Sequence, residues 1–289
     1  MDKREFLKTL VTASVAAPIA AATSVLTRPG PATEKKSVYQ RMMSKGVLRA
    51  GWFEEPPFTY YEPNTGARRG IAVKLAEQIL GSVNIKIDWV SITNFANMAE
   101  DMAIGHYDAI CASLIMLPRG GRIDYTMPYA YVPMHGYVRT GEARFGPDLT
   151  QINNPAYKIA GIDSEGGTTI AHQKFPRAQF LDLPQGTQIS ELLLNVVNNK
   201  ADVAFVMPTV FAEFDRHNPG VLKPIASEEP LHIFAVAFGL CPEEEALKSL
   251  FNNNLQRMIV SGEMEALFKE FDPSHYLLRP SIRYAQQER

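Results

Sequence analysis

The chain has 289 residues, with 29 Lys and Arg against 31 Asp and Glu and only two Cys. That length holds one large domain or two ordinary ones, and 15 Phe and 11 Tyr at a charged fraction of 21% exclude a disordered chain. Near-neutrality argues against an electrostatic nucleic-acid binder. Two Cys cannot build a disulfide framework, and no CxxC or HExxH spacing exists to hold zinc.

The first 36 residues read differently from the rest. Lys3, Arg4 and Lys8 lead into residues 9–27, nineteen positions without a charge, of which six are Leu, Val or Ile, six are Ala, and Pro18 interrupts the run. Such a segment inserts poorly into a bilayer. Ala20 and Ala22 offer an AxA cleavage site, so an export signal peptide followed by a polar linker is expected over 1–36, with a periplasmic location for the rest. KREFLK (3–8) resembles the twin-arginine export signature with Lys3 in place of the first Arg, which leaves the Tat and Sec routes both open. Without residues 1–36 the chain keeps 23 basic and 28 acidic side chains, an acidic balance of −5. A disulfide is permitted outside the cytoplasm, so Cys111 and Cys241 could pair, although burial alone accounts for both.

From Lys45 short β runs alternate with helical ones. VLRAGWF (47–53) reads as a strand, IAVKLAEQILG (71–81) as an amphipathic helix closed by Gly81, and NIKIDWVSI (84–92) as a second strand. Residues 95–105 read as a helix with Met98, Met102 and Ile104 on its apolar side, and YDAICASL (107–114) as a buried strand. This order predicts a largely parallel sheet covered by helices. After Pro147 the rhythm repeats, with strands at KIAGI (158–162), AQFLDL (178–183) and ADVAFVM (201–207) and helices opening at GGTT (166–169) and SELLLNVVNN (190–199). LHIFAVAFGL (231–240) is a further strand, residues 243–271 are helical with a break near Gly262, and the tail 273–289 reads as extended or loosely docked.

The order of these motifs resembles the family 3 periplasmic solute-binding proteins, the polar amino-acid receptors of ABC importers. The likeness runs from about Lys45 to Asp272. It rests on GWFEEPPF (51–58) after the first strand, Gly70 before a helix, and Phe95 thirteen positions before Asp108. Its most specific part is Ser113 and Arg119 followed by IDYTMPY (123–129). The resemblance implies an α/β fold of the type II periplasmic binding protein class, two α/β lobes joined by a two-strand hinge with a cleft between them. The implied division is 37–135 and 231–272 for lobe 1, 136–230 for an inserted lobe 2, and 273–289 for a tail. It also implies capture of an amino acid or related small carboxylate, no cofactor, a membrane ABC permease as partner, and a monomer.

Arg119 matches the family Arg that holds the ligand carboxylate, a task suited to a planar, permanently charged fork; Arg122 is its rival three residues on. Phe95 and Phe58 match ligand-stacking aromatics and could equally belong to the core. Ser113 could offer a hydroxyl to the carboxylate. Thr168 or Thr169 would cap the helix opening at GGTT while backbone N–H groups face the cleft. The departures are informative: where relatives carry an acid for the ligand ammonium this chain has Met207, and Glu55 stands where the loop aromatic is usual. Either Glu55 or Glu54 supplies the missing charge, or the ligand lacks an ammonium, because a buried ammonium without a carboxylate costs several kcal/mol.

Two rival readings stand beside solute import. Periplasmic cyclohexadienyl dehydratases resemble the same family and share the GGT of this chain, but the residue at their acid position is Ile170 here, with His172 and Glu165 nearby, and general-acid catalysis needs a donor. A stand-alone accessory or sensory receptor is the other.

Overall fold

The structure is a computed structural model and describes residues 36–92, 97–117, 121–163, 165–227 and 229–280. It opens with α1 (Val38–Lys45), where Ser37 and Gln40 form a reciprocal capping box and Gly46 ends the helix in the left-handed region. β1 (Val47–Trp52) leads to a small antiparallel hairpin, β2 (Tyr60–Tyr61) and β3 (Arg68–Arg69). Then come α2 (Ile71–Gly81), β4 (Lys86–Ser91), α3 (Met98–Ala103), β5 (Ala109–Ile115), β6 (Asp124–Tyr125) and β7 (Ala130–Arg139). The next block holds β8 (Lys158–Ile162), α4 (Gly166–Lys174), β9 (Gln179–Leu183), α5 (Ser190–Val197), β10 (Val203–Val206), α6 (Pro208–His217) and β11 (Leu222–Pro224). The chain returns through β12 (His232–Leu240), α7 (Glu245–Ser261) and α8 (Glu263–Phe271).

The strands form one path in the order β4-β1-β5-β12-β7-β10-β8-β9, with β6 added to β12 and β11 to β7. β1 runs parallel to β4 and β5, and β8 parallel to β10 and β9. Between these two parallel sets β12 and β7 pair antiparallel, from His232 opposite Met134 to Val236 opposite Ala130. β12 then continues along β5, while β7 continues along β10 and β11. The expected largely parallel sheet thus takes the form of two parallel sets joined by a two-strand hinge, as the resemblance implies.

Both faces of each set are covered, as crossover helices require. Along β5, Ala109 and Cys111 enter the core under α2, α7 and α8, while Ile110, Ala112 and Leu114 enter a second cluster with Met98 and Met102 of α3. Along β10, Val203 and Phe205 face one cluster and Ala204 and Val206 the other. The alternation is the period of two of a pleated strand. In α2 the buried residues Ile71, Ala72, Leu75, Ala76, Ile79 and Leu80 repeat at helical spacing. Asp108, just before β5, accepts from the Arg49 guanidinium (2.7 and 3.1 Å), the Arg49 N–H (3.0 Å) and Arg41 (3.2 Å), which ties α1, β1 and β5 together.

Three local expectations change. Ile104 lies past the end of α3 and is 71% exposed. Gly81 is the last residue of α2 and leaves closure to Ser82 and the left-handed Asn84. The described part of the tail is docked: the buried Asp272 carboxylate accepts the N–H groups of Tyr276 and Leu277 (3.0 and 2.9 Å), and Leu278 exchanges two hydrogen bonds with Tyr131 of β7 (2.7 and 2.8 Å). Gly262 breaks the last helical stretch at φ 82°, as expected. Cys111 and Cys241 are not joined in a disulfide.

Candidate functional site

The loop between β1 and β2 carries the most distinctive carboxyl group of the fold. Glu55 closes a backbone bridge with Thr59 (2.6 and 3.0 Å), and the first N–H groups of α2, those of Ile71 and Ala72, donate to the carbonyls of Pro57 (3.1 Å) and Phe58 (3.0 Å). Gly70 permits that approach, because at φ 124° a Cβ there would stand 2.2 Å from the Phe58 carbonyl oxygen. The loop is therefore held by a helix start, and the Glu55 side chain is aimed by its backbone. Across from it, near the end of β5, the buried Ser113 hydroxyl donates to the Glu55 carboxyl. Burial raises the Glu55 pKa above the usual carboxylate range, and the Ser113 hydrogen bond offsets this only in part. Glu54 beside it is exposed.

The opposite wall comes from the second parallel set. Glu165, in extended conformation, is the N-cap of α4, and its carboxylate accepts from the Thr168 N–H (2.8 Å) and hydroxyl (3.2 Å). The Thr168 oxygen in turn accepts the Ile162 N–H (2.9 Å), and the exposed Thr169 donates to the Glu165 carbonyl (2.9 Å). Neither threonine caps the helix. Glu165 does so because a carboxylate one residue ahead of the helix outcompetes a hydroxyl inside its first turn for the same N–H. Met207 leaves β10 in extended conformation and leads into Pro208 at the first position of α6, where a missing N–H costs nothing. Its side chain packs against the core of the first set.

A cavity of about 1610 Å³ opens between these walls. Phe53, Glu54, Glu55 and Ser113 line one side and Gly166 and Met207 the other. The volume exceeds the ~300–1,000 Å³ of an ordinary ligand pocket, because the cavity continues along α6 to Tyr276 of the docked tail. Glu55, Ser113 and Met207 are therefore brought to one cavity. Phe58 is not: it is buried in the first core, edge-on to Tyr129 at 6.1 Å. Phe95 and Arg119 lie outside the described residues. The segment entering 118–120 is tied down by Tyr125, whose hydroxyl donates to the Leu117 carbonyl at 3.0 Å. Arg122 is exposed and pairs with Glu100 of α3. Ile170 packs half-buried against the second set's core. Among the described residues no cluster of His, Cys, Asp and Glu could hold a metal ion, and no helix is long and apolar enough to cross a membrane.

Residues 48–272 match the model of the bacterial extracellular solute-binding proteins, family 3. The chain belongs to this family. Solved structures with the same fold include an ancestral amino acid-binding protein described as a precursor of cyclohexadienyl dehydratase, 20% identical with a TM-score of 0.65, where 82% of this chain covers 99% of that one. The solute receptor for L-cysteine of Neisseria gonorrhoeae is 20% identical with a TM-score of 0.64 (85% and 100% covered). The cysteine-binding protein of Campylobacter jejuni is 18% identical at 0.62 (84% and 95%). This solute-binding protein is also 21% identical over 183 residues to the membrane-bound lytic murein transglycosylase F of Aeromonas hydrophila. That match takes in 63% of the present chain and 36% of the transglycosylase, so the chain spans about a third of that relative's length.

Sequence reasoning missed Phe53, Gln188 and Thr209 as cavity-lining residues. Phe53 lies inside the GWFEEPPF segment, two residues before Glu55, and that position in the loop is the signal that marks it. Gln188 sits on the connection before α5 and Thr209 in the first turn of α6, where no periodic pattern marks a side chain as facing a cleft.

Proposed function

We propose that this family 3 solute-binding protein is exported to the periplasm by its N-terminal segment and captures an amino acid or related small carboxylate between lobes 37–135 with 231–272 and 136–230. It carries out no chemistry on the solute and hands it to a membrane ABC permease. The observation that carries the reading is the Glu55 carboxyl beside Ser113 at the wall of the interlobe cavity: it offers a carboxyl and a hydroxyl for the polar head of a small solute. Arg119 holds the solute carboxylate and Phe95 stacks on it in this proposal. Closing two lobes about a two-strand hinge then removes the solute from water.

A thermal-shift screen against amino acids, organic acids and aromatic acids tests the reading, since a ligand bound only by the folded state raises the melting temperature by mass action. Upward shifts with amino acids that disappear in Arg119→Ala are expected. An unaltered shift in that variant would remove Arg119 from the site, and conversion of prephenate to phenylpyruvate by the protein would replace the binding role with a dehydratase.

A further inference from the structure

The wall that holds Glu55 contains no described cation to balance it. Its one described side-chain hydrogen bond comes from a neutral hydroxyl, that of Ser113. The titratable groups near it are Glu54, its neighbour in the loop, and Tyr129 in the core behind, which Cys111 adjoins in turn. The Tyr129 hydroxyl donates to the Ala112 carbonyl (3.0 Å) and is pushed far up by burial and then by the Glu55 charge. The Cys111 thiol is pushed up to about 12 by burial. Both stay neutral at physiological pH, so neither adds charge, and Glu54 would add only a second negative one. Across the cleft Met207 contributes a thioether without charge, and farther along α6 the Arg216 guanidinium that lines the same cavity is paired with Glu213, with His217 and Asp215 beside them. Enclosing a lone carboxylate in such surroundings is costly, and the cheaper state is the neutral acid.

We infer that Glu55 is the cation-receiving group of the cleft, protonated in the unliganded protein and giving its proton to solvent when the ammonium end of a solute takes up position beside Ser113. This deepens the proposed function and rests on it. The exchange balances: a neutral carboxylic acid and an alkylammonium become a carboxylate–ammonium pair plus one hydrated proton. The raised pKa of Glu55 agrees with it. Burying the pair is tolerable because each charge meets its opposite, with the Ser113 hydroxyl donating to the carboxylate. The solute class is thereby narrowed to amine-bearing acids, and binding weakens as the pH falls below the raised Glu55 value, approaching about tenfold per pH unit.

Isothermal titration calorimetry of the purified protein, in buffers of different ionisation enthalpy, tests this with pairs of probes: L-amino acids and the matching 2-hydroxy acids, which lack only the ammonium. The expected result is that an amino acid binds with release of roughly one proton and its hydroxy partner binds at least about tenfold more weakly. Glu55→Gln should lose the proton release and about tenfold or more in affinity. The same variant should leave the melting temperature of the unliganded protein at neutral pH unchanged or higher, which separates lost binding from lost folding. A hydroxy acid that binds as well as its amino partner, or a Glu55→Gln variant with intact affinity, overturns this inference while leaving solute capture standing. No binding by any probe in calorimetry or thermal shift overturns both.

Discussion

The two walls of the cleft are built from the same βαβ units yet use their polar groups differently. On the first wall a helix start, that of α2, spends its N–H groups on the carbonyls of Pro57 and Phe58, and so a loop carboxyl, Glu55, is left facing the cavity. On the second wall a helix start, that of α4, is occupied by its own carboxylate, Glu165, and the neighbouring position on β10 leads to an uncharged Met207. A helix N-terminus attracts an anion in either case. What differs is whether the chain satisfies it with backbone, which frees an acid for a solute, or with an acid of its own, which leaves an apolar cover. Of the two helix starts, only the first therefore leaves a carboxyl facing the cavity.

That contrast depends on the two halves sharing one frame, and the largest expected effects test it. Phe238 is fully buried on β12 between Tyr129 (4.8 Å) and Phe251 (5.3 Å), while Phe205 on β10 stacks on Phe175 at 5.5 Å in the other half. Truncating either to Ala should cost about 3–5 kcal/mol and leave a single cooperative transition in urea, because β7 and β12 serve both halves. Two separate transitions in one variant would break the shared frame.

Asp108→Asn, confined to the first half, should cost about 1–3 kcal/mol by loosening the Arg49 and Arg41 contacts. Burial pushes the Asp108 pKa up, but the hydrogen bonds from Arg49 and Arg41 outweigh it and hold the carboxyl below the usual value. A depressed carboxyl stabilises the fold above its unfolded-state pKa, and that stability is lost as the pH falls through the folded value. Acid unfolding curves below about pH 4 should therefore be less steep in Asp108→Asn than in the parent, and identical slopes would mean the network is solvated.

On the second wall Glu165→Ala should cost about 0.5–2 kcal/mol and speed amide exchange at Thr168; unchanged exchange would show that the cap is not holding that N–H. Smallest is Leu278→Pro, which removes the N–H donated to Tyr131 while the exposed side chain contributes little. A loss of about 1 kcal/mol in urea unfolding is expected, and none would mean that water replaces the bridge at no cost.

Most strands and long helices were legible because their burial follows the periods of the chain. α1 was not, since only Val38 and Met42 are buried along eight residues, too few for a repeat to register. α6 was missed for a similar reason: Phe214 is its one buried residue, and Val210 and Phe211 are only partly buried, too little for a repeat to register. At the site, Glu55 stood out as an unusual residue in a recognisable loop, whereas Phe58, two positions past the Pro56 that follows it, could have faced either way. Thr168 looked like a cap because it opens an apolar helix, but the competing acceptor at Glu165 belongs to a turn whose backbone is set by packing.

By itself the sequence determined most strands, the long helices and the family, because apolar spacing and a few ordered motifs are local properties that survive without knowledge of contacts. Only the tertiary structure decided that Glu55 meets Ser113, 58 positions away, and that Glu165 closes the helix on the facing wall. The first depends on parallel pairing of β1 with β5 and the second on which acceptor reaches an N–H first, and both are settled by non-local packing.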